Sequence, residues 1–187
     1  LGDVYKRQAK PFILVAPTYY YDARHLLYDW EQFPREMREE IMPLVESTYR
    51  TYAETADEAG FRASRDHRAI CGFSMGSMTT WALFPHMLDV SASFLPFSGP
   101  MQDTEAMIAA VEKNEEPFYI YMACGGAEDL AFENCNALAQ TLAADPHFSY
   151  GPSREENNFF YCLSDNIHQD LTSRYYLYNA FLDGLFQ

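Results

Sequence analysis

Residues 70–79 read Ile-Cys-Gly-Phe-Ser-Met-Gly-Ser-Met-Thr, so an apolar run leads through a G-x-S-x-G pattern into a segment that can form a helix. This pattern is typical of a serine, here Ser74, on a sharp turn between a strand and a helix. Gly72 and Gly76 would permit the tight turn and the close packing of that helix. The alternative is that Ser74 only caps the helix, which is a common position for serine. The two glycines favour the sharp turn.

Short apolar runs of strand length recur along the chain and alternate with segments of helical periodicity. We predict strands at residues 12–16, 68–73, 92–97, 118–123 and 159–163. We predict helices at residues 31–52 with a kink at Pro43, 75–84 ended by Pro85, 103–113 capped by Asp103, 130–143 and 168–186. Residues 18–22 are expected to form an aromatic loop and residues 57–66 a polar turn. The alternation predicts an α/β protein with an open, mostly parallel sheet and helices on both faces.

The composition fits a single packed domain and argues against two kinds of partner. The chain has 187 residues, of which 48% are hydrophobic, as expected for a globular protein. Its formal net charge of -14 repels nucleic-acid phosphates and anionic membrane surfaces. No apolar run is long enough to span a bilayer. We therefore expect neither a nucleic-acid nor a membrane partner.

The sequence lacks the common signatures of metal and phosphate binding. Its cysteines lie too far apart for a C-x-x-C arrangement, and it contains no H-x-x-x-H pair and no G-x-x-x-x-G-K-[ST] loop. We expect the cysteines to be mostly free thiols. We also expect the protein to use no metal and no other cofactor.

The first residues do not fit the pattern of the rest. Residues 1–8, Leu-Gly-Asp-Val-Tyr-Lys-Arg-Gln, resemble translated adapter sequence. We therefore predict a single domain over residues 9–187, and we expect the natural protein to begin further upstream.

Three of the predicted strands end at residues whose chemistry fits together. These segments are Ser74 after the strand at 68–73, Gly125-Gly-Ala-Glu-Asp129 after the strand at 118–123, and Ser164-Asp-Asn-Ile-His168 after the strand at 159–163. The carboxyl ends of parallel strands meet at one edge of a sheet, where such sheets bind their ligands. The order serine, acid, histidine is that of an α/β-hydrolase catalytic triad.

Each residue type has a role in that chemistry. A serine hydroxyl is a weak nucleophile at neutral pH, so Ser74 needs a base, for which His168 is the candidate. A carboxylate on the other ring nitrogen would fix the imidazole tautomer, and this carboxylate is Asp129 or its neighbour Glu128. The Met75 backbone N–H would donate to the developing oxyanion from the helix N-terminus.

Other assignments compete with these. Either acid can instead cap the helix that starts near residue 130. The other histidines of the chain are His25, His67, His86 and His147. His67 precedes the strand that leads to Ser74, His86 follows a helix and His147 precedes the last strand. Position directly after a strand therefore favours His168.

Long stretches around these residues resemble one family. They are Ser-Arg-Asp-His-Arg-Ala-Ile-Cys-Gly-Phe-Ser-Met-Gly-Ser-Met-Thr-Thr-Trp at 64–81, Gly-Gly-Ala-Glu-Asp-Leu-Ala-Phe at 125–132, and the terminal segment 168–186. From about residue 11 to its end the chain resembles bacterial feruloyl esterases of carbohydrate esterase family 1, the esterase D-like group of the α/β-hydrolase superfamily. The resemblance implies that Ser74 is the nucleophile and His168 the base. It also selects Asp129 over Glu128 as the acid, because the family carries an aspartate in a G-x-x-D-x-A-[FY] segment.

The resemblance implies hydrolysis of esters between hydroxycinnamic acids and plant cell-wall arabinoxylan, outside the cell. Tyr19, Tyr20 and Met75 are candidates by position for the acyl pocket. One alternative is an acetyl-xylan esterase with the same triad and a smaller pocket. The other is a catalytically silent carbohydrate-binding relative, against which the joint presence of the three triad residues counts.

The chain departs from the family pattern in two places. Family members often have a tryptophan shortly after the catalytic histidine, whereas His168 is followed by Gln-Asp-Leu. They also have further strands before the one predicted at 12–16, among which a loop carries a second oxyanion amide. We therefore expect N-terminal strands of the fold to be missing from this chain.

Overall fold

The computed structural model describes residues 11–18, 20–22, 27–28, 32–100, 103–126, 129–182 and 185. Its strands are β1 (Tyr20–Asp22), β2 (Leu27–Tyr28), β3 (Ala69–Phe73), β4 (Ser93–Phe97), β5 (Tyr119–Cys124) and β6 (Phe159–Leu163). Its α-helices are α1 (Phe33–Glu36), α2 (Met42–Thr48), α3 (Glu58–Ala63), α4 (Met75–Met87), α5 (Thr104–Glu112), α6 (Phe132–Ala144) and α7 (Asp170–Leu182). A π-helical turn, Met37–Ile41, joins α1 to α2, and a 3₁₀ turn, Arg65–His67, follows α3.

Strands β3 to β6 form one parallel sheet in the order β3-β4-β5-β6. The register places Cys71 beside Leu95 and Tyr121 beside Phe160. Every residue of the two central strands, β4 and β5, is buried, which explains why they appear in the sequence as continuous apolar runs. The predicted parallel sheet over residues 68–163 is confirmed, with each strand boundary within one residue of its expected place.

Helices cover both faces of this sheet because successive strand residues point to opposite sides. On one face, Ile120 and Met122 of β5 pack with a core that α4, α5 and α6 complete, including the fully buried Phe84. On the other face, Tyr121 packs with a smaller core that includes Tyr176 of α7. The chain thus has the expected α/β architecture, with helices packed on both faces of the sheet.

The strand predicted at residues 12–16 is not formed. Residues 11–18 have no regular secondary structure and are exposed, and Leu14 is 78% exposed. Phe12 instead packs against Phe181 of α7, with ring centroids 5.2 Å apart. An apolar run becomes a buried strand only where neighbouring backbone pairs with it, and that pairing depends on tertiary context. Within the described ranges, this run pairs with no strand.

Two prolines that the sequence prediction singled out lie within helical segments. The predicted helix over residues 31–52 is divided into α1, the π-helical turn and α2, and the Met42 N–H bonds to the Met37 carbonyl oxygen. This wider turn directly precedes Pro43, which lacks an N–H of its own. The prediction that Pro85 ends a helix is wrong, because Pro85 lies inside the last turn of α4.

Two segments predicted as irregular contain regular structure. Part of residues 57–66 forms α3, whose first turn is capped by Asp57 through Oδ1, which accepts from the Gly60 N–H at 2.9 Å, and whose Phe61 is buried. Residues 20–22, expected in an aromatic loop, form β1, which pairs antiparallel with β2. None of the helices in the described ranges is long and apolar enough to cross a membrane.

Candidate active site

Ser74 lies on the sharp turn between β3 and α4. Its φ of 57° and ψ of -116° are rare for a residue with a side chain. Its side chain makes no capping hydrogen bond to α4, so the hydroxyl does not serve as a helix cap. Strained backbone of this kind persists only where surrounding structure enforces it, and it concentrates at functional sites.

The close approach of strand and helix at this turn requires Gly72. A Cβ atom at Gly72 would lie 2.0 Å from the Gly76 carbonyl oxygen, which is a severe clash. A Cβ atom at Gly76 would meet no described atom within 4 Å. The expectation of close packing therefore holds at Gly72, whereas Gly76 has room for a side chain.

Main-chain hydrogen bonds hold the first residue after each of three strands against the end of its neighbour. The pairs are the Ser74 N–H with the Phe97 carbonyl oxygen at 2.8 Å, the Ser98 N–H with the Ala123 carbonyl oxygen at 2.8 Å, and the Ser164 N–H with the Cys124 carbonyl oxygen at 3.0 Å. These bonds continue the parallel ladder past the strand ends. The loops that follow are therefore gathered at one edge of the sheet.

The three predicted triad residues meet at this edge. The Nε2 atom of His168 lies 2.9 Å from Oγ of Ser74, and its Nδ1 atom lies 2.9 Å from Oδ1 of Asp129. The His168 ring packs on Phe73, the last residue of β3, with ring centroids 4.7 Å apart. One imidazole thus bridges a hydroxyl and a carboxylate from three separate loops, which is the geometry of a nucleophile, a base and an orienting acid.

Asp129 is buried and well supplied with hydrogen-bond donors. Its Oδ1 also accepts from the Ala131 N–H at 2.9 Å, and its Oδ2 accepts from the Gly125 N–H at 3.2 Å. Burial alone would raise the pKa of Asp129, but hydrogen bonds from the Ala131 amide, the His168 ring and the Gly125 amide outweigh it and hold the pKa below its usual range. Asp129 therefore stays ionised beside His168 near neutral pH.

The loops that carry Asp129 and His168 are packed directly against each other. The Gly126 N–H donates to the Asn166 carbonyl oxygen at 3.2 Å. A Cβ atom at Gly125 would lie 2.3 Å from that same oxygen and 2.7 Å from Cβ of Asp129. Only glycine at this position lets the two loops approach closely enough for the carboxylate to reach the imidazole.

Of the competing histidines in the described ranges, His86 lies in the last turn of α4 and not after a helix as predicted, and the other two have partners elsewhere. His67 stacks on Tyr52 with ring centroids 3.6 Å apart. His147 lies 2.8 Å from Asp145 through Nδ1, after α6 and therefore at the opposite edge of the sheet. His25 and Glu128 lie outside the described residues. Of the two candidate acids, Asp129 is the one that the structure describes, and it contacts His168.

The predicted binding residues are placed only in part. Met75 is the first residue of α4 and directly follows Ser74, which puts its backbone N–H at the helix N-terminus. Tyr19 lies outside the described residues, and of Tyr20 only the backbone, in β1, is described. Among the described residues, no group of three histidine, cysteine or acidic side chains is arranged to hold a metal ion.

Sequence reasoning missed two residues that contribute to the site. Ser98 is a polar residue directly after β4, the same signal that identified the other three segments, and it is 1% exposed beside Asp129. Asn166 acts through its backbone carbonyl oxygen, which no side-chain pattern reveals.

Comparisons with known proteins place this chain among esterases. No family model matches it. Over 183 residues it is 32% identical to endo-1,4-beta-xylanase Y of Acetivibrio thermocellus, an alignment that covers 92% of this chain and 17% of the xylanase. The chain therefore spans only a small part of that relative.

Two solved structures agree closely in fold. A structure of FAE aligns with a TM-score of 0.89 and 30% identity, over 98% of this chain and 67% of that chain. The feruloyl esterase module of Clostridium thermocellum, with one serine replaced by alanine and complexed with sinapinate, aligns with a TM-score of 0.89 and 29% identity, over the same shares. With this agreement in fold and sequence, the chain belongs to the bacterial feruloyl esterases of the α/β-hydrolase fold.

Proposed function

We propose that this chain hydrolyses esters between hydroxycinnamic acids and plant cell-wall arabinoxylan through an acyl-enzyme on Ser74, as a member of carbohydrate esterase family 1. The proposal is supported above all by the hydrogen-bonded line from Ser74 through His168 to Asp129. The His168 ring nitrogens lie 2.9 Å from Oγ of Ser74 and 2.9 Å from Oδ1 of Asp129. This arrangement occurs in a chain that belongs to the feruloyl esterases.

In the acylation step, Oγ of Ser74 attacks the ester carbonyl carbon while Nε2 of His168 takes the hydroxyl proton. The carbonyl oxygen becomes an oxyanion in the tetrahedral intermediate. When the intermediate collapses, the bond to the sugar oxygen breaks and Nε2 returns the proton to the departing sugar alcohol. The hydroxycinnamoyl group is then esterified to Ser74.

In the deacylation step, His168 takes a proton from water, which attacks the acyl carbon. Collapse of the second intermediate breaks the bond to Oγ, Ser74 recovers its proton from His168, and the free acid leaves. Through both steps the Asp129 carboxylate holds Nδ1 protonated and stabilises the transient imidazolium. Its burial makes this charge interaction stronger than it would be in water.

The oxyanion is stabilised from the start of α4. The Met75 N–H is the first amide after the nucleophile, and the N-terminus of α4 carries partial positive charge from the helix dipole. We assign Met75 as one oxyanion donor. Removing such a donor typically slows an enzyme by about 10²–10³-fold.

Two exposed apolar residues adjacent in the chain to triad residues favour an aromatic acyl group over acetyl. Ile167 directly precedes His168 and is 42% exposed, and Leu130 directly follows Asp129 and is 79% exposed. Exposed aliphatic surface beside a catalytic centre gains most from contact with a large apolar group such as a cinnamoyl ring. Because the proposed polymer belongs to plant cell walls, we place the activity outside the cell.

The proposal is tested by comparing kcat/KM for methyl ferulate and methyl acetate, which release the same alcohol. We expect kcat/KM to be at least about 100-fold higher for ferulate than for acetate. Burial of the cinnamoyl group in an apolar pocket should stabilise its transition state by about 3 kcal/mol more than burial of a methyl group does. A preference for acetate would make the chain an acetyl-xylan esterase. Hydrolysis of neither ester by a folded chain would indicate the catalytically silent relative.

A further inference from the structure

Ser98 shares an unusual backbone conformation with the nucleophile. In the part of the chain that the structure describes, only Ser74 and Ser98 combine a side chain with a positive φ, 57° and 48° respectively. Such a conformation costs free energy unless the surroundings enforce it. Ser98 directly follows β4, so both strained serines lie at the edge of the sheet where the site is built.

The turn that contains Ser98 is fixed on two sides. Its N–H bonds to the Ala123 carbonyl oxygen at the end of β5, at 2.8 Å. The carbonyl oxygen of the next residue, Gly99, accepts from Oγ of Ser77 at 2.9 Å and from the Trp81 indole at 3.2 Å. A Cβ atom at Gly99 would lie 2.4 Å from the Ser74 carbonyl oxygen. The Ser98 backbone is therefore held between α4 and β5.

The Ser98 hydroxyl is buried in a polar cluster behind the triad. The residue is 1% exposed, and its Oγ has no hydrogen-bond partner of ordinary geometry among the described residues. Three groups neighbour it: the thiol of Cys124, the hydroxyl of Tyr176 and the carboxylate of Asp129. A buried hydroxyl that donates no bond loses its hydration without compensation, so one of these groups is its natural acceptor.

The carboxylate is the best acceptor of the three. The Asp129 carboxylate is charged, whereas the Tyr176 hydroxyl, which is hydrogen-bonded to Oγ of Ser164 at 2.8 Å, is neutral and a thiol sulfur accepts weakly. Oδ1 of Asp129 accepts from both the Ala131 N–H and the His168 ring, each at 2.9 Å. Within the described ranges, Oδ2 accepts one bond of ordinary geometry, the longer one from the Gly125 N–H at 3.2 Å, and so has room for a second donor.

We propose that Ser98 is a positioning residue whose hydroxyl donates to Oδ2 of Asp129 and holds the carboxylate in line with the His168 ring. No hydrogen bond joins the Ser98 hydroxyl to Ser74, so its effect on the reaction passes through Asp129. This assignment rests on the esterase function proposed above. The hydroxyl is also among the groups that keep the pKa of Asp129 below its usual range, after burial and the Ala131 amide.

A double-mutant cycle tests the assignment. We expect Ser98→Ala to lower kcat for methyl ferulate by about tenfold with little change in KM, because one hydrogen bond to a charged group is lost. In an Asp129→Ala background, the same change should alter the residual kcat by less than about twofold, because no side-chain acceptor is left at position 129. An equal effect in both backgrounds, or a parental kcat in Ser98→Ala, overturns the proposal.

Two further variants separate the hydroxyl from other effects. Ser98→Gly also lacks the hydroxyl but adopts a positive φ without strain, so it should be as slow as Ser98→Ala, and recovery of the parental kcat would overturn the proposal. Ser91→Ala is the matched control, because Ser91 is a fully buried serine two residues before β4 whose Oγ donates to the Arg68 carbonyl oxygen at 3.0 Å. Its kcat should equal that of the parent.

A stability measurement keeps the test independent of the proposed reaction. If the parent hydrolyses no hydroxycinnamoyl ester, the proposed function fails, but the hydrogen bond is still measurable by urea unfolding of the same variants. Ser98→Ala should lower the urea midpoint of the parent and leave that of Asp129→Ala nearly unchanged. Equal shifts of the midpoint in both backgrounds contradict the proposed bond.

Discussion

The Gly126 N–H donates a hydrogen bond to the Asn166 carbonyl oxygen at 3.2 Å, and this bond joins the loop that carries Asp129 to the loop that carries His168. The acid and the base come from segments far apart in sequence, so their distance depends on how these two loops pack. Gly125, next to Gly126, sets the limit of that approach.

Replacing Gly125 by alanine should therefore lower kcat. The new Cβ would lie 2.3 Å from the Asn166 carbonyl oxygen, and the loops must separate to relieve the clash. A displacement of about 1 Å between catalytic groups can cost about 10²-fold in rate, and we expect a loss of that size in kcat for methyl ferulate. Gly126→Ala is the matched control, because its Cβ would lie 3.2 Å from the Ser164 carbonyl oxygen, a contact that a small shift relieves. Its loss in kcat should therefore be smaller. Equal losses from both variants would show that loop separation is not the cause.

Asp129→Asn should reduce kcat by about 10⁴-fold while the chain remains folded, because an amide does not hold the imidazole in the tautomer that accepts the Ser74 proton. The chain contains a matched control in Asp145, which lies 2.8 Å from Nδ1 of His147 at the opposite edge of the sheet. Asp145→Asn should leave kcat within about twofold of the parent. Loss of activity in the control, or its retention in Asp129→Asn, contradicts the assigned acid.

The pH dependence of unfolding should report the ionised Asp129. Its folded-state pKa lies below the ordinary value of 3.8, so as the pH falls the unfolded chain takes up the proton first. The contribution of Asp129 to stability is therefore complete above about pH 5 and is lost as the pH falls through the folded-state pKa.

The measurement is the difference in unfolding free energy between the parent and Asp129→Asn, followed by urea denaturation from neutral to acidic pH. We expect this difference to be constant near neutrality and to move against the parent below about pH 4. A difference that does not change with pH would show that the Asp129 carboxyl titrates alike in the folded and unfolded chain.

The two glycines of the G-x-S-x-G pattern should respond differently to alanine. Gly72→Ala places a Cβ 2.0 Å from backbone, and we expect a loss of about 3 kcal/mol or more in unfolding free energy. Gly76→Ala meets no described atom within 4 Å, and its unfolding free energy should stay within about 1 kcal/mol of the parent. Thermal and urea unfolding of both variants measure this. Similar losses in the two would contradict the different roles assigned to these glycines.

Sequence reasoning reached the parallel sheet and the three triad residues for one physical reason. Strands buried on both faces appear as short apolar runs, and the polar residues that follow them must meet at one edge of the sheet. Both signals are local. They placed Ser74, Asp129 and His168 correctly relative to β3, β5 and β6.

The features that were missed depend on contacts between distant segments. The run at residues 12–16 looks like a buried strand, but strand formation needs a pairing partner that the run itself does not encode. The positive φ of Ser98 and the turn that follows it are imposed by α4 and β5. The π-helical turn before Pro43 also reflects how a whole helix adjusts to one residue without an N–H.

Ferulate release from methyl ferulate, measured for the parent and for Ser74→Ala at equal concentration and with equal folding by circular dichroism, tests Ser74 as the nucleophile. We expect release by the parent and a rate at least about 10⁴-fold lower in the variant, because the variant cannot form the acyl-enzyme. Release by folded Ser74→Ala at a rate near that of the parent would contradict Ser74 as the nucleophile, and with it the mechanism proposed here.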